Sequence, residues 1–299
     1  MMASVGSMPA PAKPLKKKKV EVLGLRMAYH ESGKGRPIVF LHGNPTSSYL
    51  WRGVIPHVSS LGRCIAPDLI GMGDSAKLVP SGSNTYTFSD HRRYLDALLE
   101  VMGVTEDVVL VVHDWGGALG FDWARRHPRS VAGIAYMETI VAPLDSWDAW
   151  PEPSRGLFQA LRTEAGEEII LAKNVFVERI LPASVLDPLP PEVMEEYRRP
   201  FRRPGEDRRP TLTWPRQIPI GGDPPDVAET VARYRDWLSR SDVPKLFVDA
   251  DPGFLSPLMR PVCEEWPNQE KVTVRGIHFI QEDSPDEIGR ALADWLRRI

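Results

Sequence analysis

The stretch "VVHDWGGALGF", residues 111–121, decides how this chain is read. An apolar run ends at His113–Asp114, and Trp115, Gly116 and Gly117 follow at once as the start of a helix. A carboxylate at that depth is costly unless something holds it. A sharp strand-to-helix elbow accounts for it, because such a turn lifts one side chain above the sheet edge. The N–H groups and partial positive charge of the helix start favour an anion there. The elbow pattern is Gly-x-nucleophile-x-Gly; here Val112 stands at the first glycine and Gly116 at the second. A plain helix N-cap is the competing account of Asp114, and this stretch alone does not choose.

Working outward, the neighbours alternate strand and helix. "RPIVFLHG" (36–43), "RCIAPDL" (63–69), "DVVLVVHD" (107–114) and "SVAGIAYME" (130–138) read as buried strands, and "PKLFVDADPGF" (244–254) and "EKVTVRGIHF" (270–279) as two more. Apolar runs without alternation suit strands covered on both faces. "TFSDHRRYLDALLEVMGV" (87–104) reads as an amphipathic helix capped by Ser89 or Asp90 and ended by Gly103. "WGGALGFDWARRHP" stops at Pro128, and "SPDEIGRALADWLRRI" closes the chain as a helix. The alternation predicts a mostly parallel sheet with helices on both faces. Between about Pro143 and Gly222 the rhythm gives way to helical and Pro-rich sequence, read as a helical cap inserted over the sheet. The expected division is a disordered basic tail over 1–19, a core of 20–142 with 223–299, and a cap over 143–222. "KVEVLGLRMAYHESG" (19–33) opens the core as two short strands.

Composition narrows the function. The 299 residues are 42% hydrophobic and 26% charged, enough for a full core, and the net charge of −3 argues against nucleic acid as partner. No apolar run has transmembrane length, and the N-terminus lacks the continuous apolar segment of a secretory signal. A cytoplasmic protein, monomeric or weakly homo-oligomeric, is expected. Cys64 and Cys263 have no metal-type spacing and are read as free thiols, with no metal site. The run Lys16–Lys19 is read as part of the solvated tail.

Three stretches favour the elbow over the cap. In "GIHF" (276–279), His278 follows a strand and precedes the last helix, the place of a base that comes last in chain order. His30, His57, His91 and His127 fall on predicted surface or helix positions, and His42 and His113 read as structural residues flanking the site. In "AYMETIVAP" (135–143), Glu138 ends the strand after the elbow and can fix the imidazole's tautomer. Asp249 and Asp251 end the following strand and compete for that role. In "LHGNPTSSYLW" (41–51), the loop after His42–Gly43 can supply an oxyanion N–H. The Asn44 amide offers two donors and the Trp115 indole one. Donors without a balancing cation suit a monovalent, weakly hydrated leaving anion. The bland readings are a turn residue before Pro45 and a packed core tryptophan.

Together with "APDLIGMGDS" (66–75), "RRPTLTWPRQIPI" (208–220) and "HFIQEDSPDEIG" (278–289), these stretches resemble the α/β-hydrolase superfamily. More narrowly they are similar to the haloalkane dehalogenases and the Renilla-type luciferase, from about Val20 to Ile299. The resemblance implies Asp114 as nucleophile, Glu138 as acid in preference to Asp249 or Asp251, and His278 as base. It implies Asn44 and Trp115 as the halide-holding pair and, through their backbone N–H groups, the oxyanion site. It implies Pro219 as a proline bordering the halide site, and Phe158 and Phe176 as pocket-lining aromatics. The implied activity is hydrolysis of a small apolar halogenated substrate to alcohol and halide, without cofactor. The rivals are a coelenterazine-type luciferase, an epoxide hydrolase and a non-catalytic binder. "LFQALRT" (157–163) is closer to the dehalogenase version, since the luciferase carries an acidic residue near the Leu157 position. Asn44 and a single cap tyrosine, Tyr197, argue against epoxide opening. The complete triad argues against a mere binder.

Overall fold

The middle of the molecule is the strand Val108–Asp114, every residue of which is buried. It lies in an eight-stranded sheet, seen in a computed structural model that describes residues 12–299. In chain order the strands are β1 (Lys17–Val22), β2 (Leu25–Ser32), β3 (Pro37–Leu41), β4 (Arg63–Pro67), β5 (Val108–Asp114), β6 (Val131–Thr139), β7 (Lys245–Pro252) and β8 (Gln269–Gly276). Their spatial order is β1-β2-β4-β3-β5-β6-β7-β8. The β1–β2 and β2–β4 pairs are antiparallel and the others parallel.

The continuous apolar runs have a direct structural cause. Leu110 and Val112 of β5 join one core with Leu41, Ile134 and Tyr136. Val109 and Val111 point the other way and pack with Phe40, Met137 and Trp295. Side chains alternate along a strand, so a strand covered on both faces must be apolar at every position. Helices α1 (Phe88–Val101) and α2 (Trp115–Arg126) follow β4 and β5. Between β6 and β7 come α3 (Glu152–Leu161), two π-type turns (Glu167–Ala172 and Phe176–Ile180), α4 (Pro191–Arg198), α5 (Arg209–Arg216) and α6 (Pro225–Leu238). Helices α7 (Ser256–Cys263), α8 (Ile280–Asp283) and α9 (Pro285–Leu296) complete the chain. Among the described residues, no helix is long and apolar enough to cross a membrane. Both cysteines are buried and free.

Two expectations are corrected. The first cap is Thr87, not Ser89 or Asp90: the Thr87 side chain accepts from the Asp90 N–H while Asp90 reaches back to the Thr87 N–H, a capping box. The second concerns the tail. Residues 1–11 lie outside the described residues, but 17–19 are not tail: they form half of β1, paired with Ala28–His30. Lys17 Nζ sits 2.8 Å from Asp68 and 2.9 Å from Asp74. A run of lysines conceals strand alternation, because one of them points inward to carboxylates about fifty residues away.

Asp68 is fully buried and Lys17 nearly so. Removing the lysine therefore leaves a buried carboxylate short of its cation, which costs far more than losing a surface pair. Lys17→Ala is expected to lower the unfolding free energy by about 3 kcal/mol in urea titrations. A loss indistinguishable from that of Lys16→Ala would mean that Lys17 is solvated.

Candidate active site

The elbow exists as a strained turn. Asp114 has φ 52° and ψ −128°, and its side chain makes no capping bond to α2, which removes the N-cap account. A non-glycine residue held there costs about 1–3 kcal/mol and marks sites where the surroundings over-determine the backbone. Glycines let those surroundings close in. A Cβ on Gly117 would lie 1.7 Å from Thr139 Oγ1, and one on Gly43 would lie 2.2 Å from Asp114 Oδ2. Thr139 Oγ1 also donates to the Asp114 carbonyl at 2.6 Å.

The Asp114 carboxyl is divided between two tasks. Oδ2 accepts the Asn44 N–H at 2.8 Å, and the Trp115 N–H also donates to this carboxyl group. Oδ1 faces His278 Nε2 at 3.8 Å, beyond hydrogen-bonding distance. Burial raises the Asp114 pKa above its ordinary 3.8; the His278 charge and the two backbone donors oppose the rise without cancelling it.

Glu138 reaches the site through a register fault. His113 pairs with Met137 and Asp114 with Thr139, so Glu138 is skipped in the β5–β6 ladder, and its φ is 40°. Such bulges re-aim a side chain. The fully buried carboxylate accepts N–H bonds from Phe254, Leu255 and Ser256, the last two at 2.7 and 2.8 Å, where α7 begins. These donors leave one edge for His278 Nδ1, 3.0 Å from Oε2. The competitors go elsewhere: Asp249 is engaged by Arg260 at 2.8 Å, and Asp251 is exposed.

His278 lies in the loop between β8 and α8. Its N–H donates to the Ser184 carbonyl at 3.0 Å, and its own carbonyl lies 2.8 Å from His113 Nε2. His113 is therefore structural: burial drives its pKa well below 6.5, and the neutral ring donates from Nε2. His42 accepts the Leu69 N–H at Nε2, so its Nδ1 carries the proton and donates to the Gly43 carbonyl at 2.9 Å. Burial pushes the His42 pKa down to about 4. His30 and His91 are not surface residues. His91 lies on α1 as read, but it is fully buried and stacks on Trp214 at 4.0 Å.

Above Asp114 is a cavity of about 370 Å³. Asn44, Asp114, Trp115 and His278 line it together with the aromatics Phe158 and Phe176. One Asn44 amide hydrogen is taken by the Thr211 carbonyl at 3.3 Å, and the amide carries a second. Trp115 stacks on Trp214 at 4.5 Å, which fixes its indole plane. Pro219, expected beside the anion site, lines a separate cavity of about 80 Å³; Pro215, on α5, lines the large one. Both prolines lie in "TWPRQIPI", and nothing in that string says which one lines the cavity above Asp114. Sequence reasoning also missed the three amides on Glu138, since backbone donors leave no residue-type signal.

The alpha/beta hydrolase fold model matches residues 36–285, so the chain belongs to the alpha/beta hydrolase family, and within it to the group formed by the haloalkane dehalogenases and the Renilla enzyme. A haloalkane dehalogenase of Sphingobium indicum is 59% identical over 96% of this chain and 98% of its own length. The coelenterazine h 2-monooxygenase of Renilla reniformis is 41% identical over 94% of this chain and 91% of its own. The crystal structure of haloalkane dehalogenase DbeA from Bradyrhizobium elkani, 41% identical, superposes with a TM-score of 0.90 over 95% of this chain and 98% of that one.

The His278 pKa is raised above 6.5: burial lowers it, but the Glu138 hydrogen bond and the Asp114 and Glu138 charges outweigh burial. Glu138→Gln keeps the shape and removes the charge, so the imidazole should lose its proton at lower pH than in the parent. An NMR titration of the His278 ring is expected to move downward. An unchanged midpoint would mean that Glu138 does not govern this imidazole.

Proposed function

We infer that the protein is a haloalkane dehalogenase, in which Asp114, Glu138 and His278 form the catalytic triad and Asn44 and Trp115 receive the halide. The observation that carries this reading is a buried carboxylate at the floor of a largely apolar cavity, with one oxygen held by the Asn44 amide and the other facing an imidazole.

Asp114 Oδ1 attacks the saturated carbon in line, and the carbon–halogen electron pair leaves with the halide. The Asn44 Nδ2–H and Trp115 Nε1–H donate to the departing ion, whose single diffuse charge asks for no cation. The product is an alkyl ester on Asp114. His278 Nε2 then takes a proton from a water that attacks the ester Cγ. Oδ2, which already accepts the Asn44 N–H, carries the oxyanion, so that donor needs no rearrangement, and the Trp115 N–H donates to the same carboxyl group. Collapse returns the bonding pair to the alcohol oxygen, which takes a proton, and one further proton leaves to solvent. Glu138 accepts from Nδ1–H and balances the imidazolium. A serine in place of Asp114 would end at a stable ether; the aspartyl ester hydrolyses.

Luciferase chemistry shares this scaffold. Leu157, where an acidic residue would favour that chemistry, is an apolar residue of the cavity wall, and the higher identity is to a dehalogenase. Two buried free thiols favour a cytoplasmic location.

A paired assay tests the reading. With a short primary bromoalkane the protein should release bromide and acid in equal amounts, and with coelenterazine it should emit no light above background. Light without bromide would overturn the assignment. Asp114→Asn should cut alcohol formation at least about 10³-fold while leaving the circular dichroism spectrum unchanged, the scale on which losing one member of a catalytic unit acts.

A further inference from the structure

The mechanism leaves one ionised side chain of the cavity without a role. Arg179 lines the same cavity as Asp114 and His278, in the π-type turn that also carries Phe176 and Ile180. It is exposed, whereas Asp114, Trp115 and Phe176 are buried, so it marks the open end. Among the described residues no hydrogen bond or ion pair engages its guanidinium. The acidic neighbour that could neutralise it, Glu178, is turned to Arg198 at 2.9 Å. The other ionisable lining groups, Asp114 and His278, sit at the floor. An apolar cavity therefore opens beside a lone cation. An arginine there offers a planar fork that matches a carboxylate, and its exposure spares that carboxylate the cost of full burial.

We propose that Arg179 forms an anion-accepting subsite at the cavity mouth, so that the protein takes ω-halogenated alkanoates with the carboxylate outward and the carbon–halogen bond on Asp114. This rests on the dehalogenase reading for the chemistry but not for the binding. Neutral haloalkanes use the apolar wall alone; an alkanoate of matching length adds the guanidinium contact. The carboxylate takes no part in the reaction, so the contact acts on KM rather than kcat.

The test compares a series of ω-bromoalkanoates of increasing chain length with their methyl esters, in the parent, Arg179→Leu and Arg179→Lys. The parent's KM ratio of ester to acid is expected to exceed that of Arg179→Leu by about 3- to 5-fold at the best chain length, the range of a partly exposed ion pair. The lysine should retain part of the ratio, and added salt should erode it. Binding of unhalogenated alkanoates against the matching alcohols, followed by fluorescence of the cavity residues Trp115 and Trp150, reads the subsite without chemistry. If the parent and Arg179→Leu discriminate acid from ester and alkanoate from alcohol equally, the subsite is refuted. If no bromide is released but the alkanoate preference still depends on Arg179, the dehalogenase reading fails and the subsite stands.

Discussion

The architecture depends on a backbone kink at one residue. Asp114 is the last residue of a fully buried strand and the one before a helix, and its φ of 52° is what turns the chain between them. Everything adjacent makes that conformation hold. Gly43, Gly116 and Gly117 leave no room for another side chain, and Thr139 grips the Asp114 carbonyl. The strain raises the side chain off the sheet edge to where the amides of Asn44 and Trp115 converge. Strand ends and the start of α2 thus position Asp114 and Glu138, while loops carry Asn44 and His278.

Electrostatics then set the reactivity. Burial pushes the Asp114 pKa up and disfavours its ionised form; the nearby imidazole and two N–H donors oppose that shift. His278 is in the converse position, since burial disfavours its cation while two carboxylates favour it. The same oxygen that the Asn44 amide stabilises in the resting carboxylate would bear the charge of the tetrahedral species. Preorganised donors of this kind need no rearrangement when charge develops. Holding the Glu138 carboxylate by three backbone N–H groups leaves it one useful direction, toward Nδ1.

How much of this was legible in the sequence depended on the kind of signal. The β5–elbow–α2 unit was readable because burial on both faces writes an unbroken apolar run and close packing writes glycines. Asp114 and His278 stand beside such signals. Glu138 was readable only as a strand-end acid; the bulge and the amides of Phe254, Leu255 and Ser256 that single it out from Asp249 leave no trace in residue types. Charge patterns misled: Lys17 looked like tail because its partners, Asp68 and Asp74, are distant in sequence. The place of Pro219 was not legible either: it lines a small separate cavity while Pro215 lines the one above Asp114, and tertiary packing decides between two such prolines. The helix position of His91 was legible but its burial was not, because one polar residue on an amphipathic helix gives no sign that an aromatic ring covers it.

The central claim is that a carbon–oxygen bond to Asp114 forms and is then broken by water that His278 activates. His278→Phe should stop the reaction between those two events. Intact-mass and peptide-mass spectrometry after exposure to a primary bromoalkane should show one bromide released per protein and the mass of one alkyl group added to the peptide containing Asp114. Continued turnover with no added mass, or an alkyl group on any other peptide, would contradict the account.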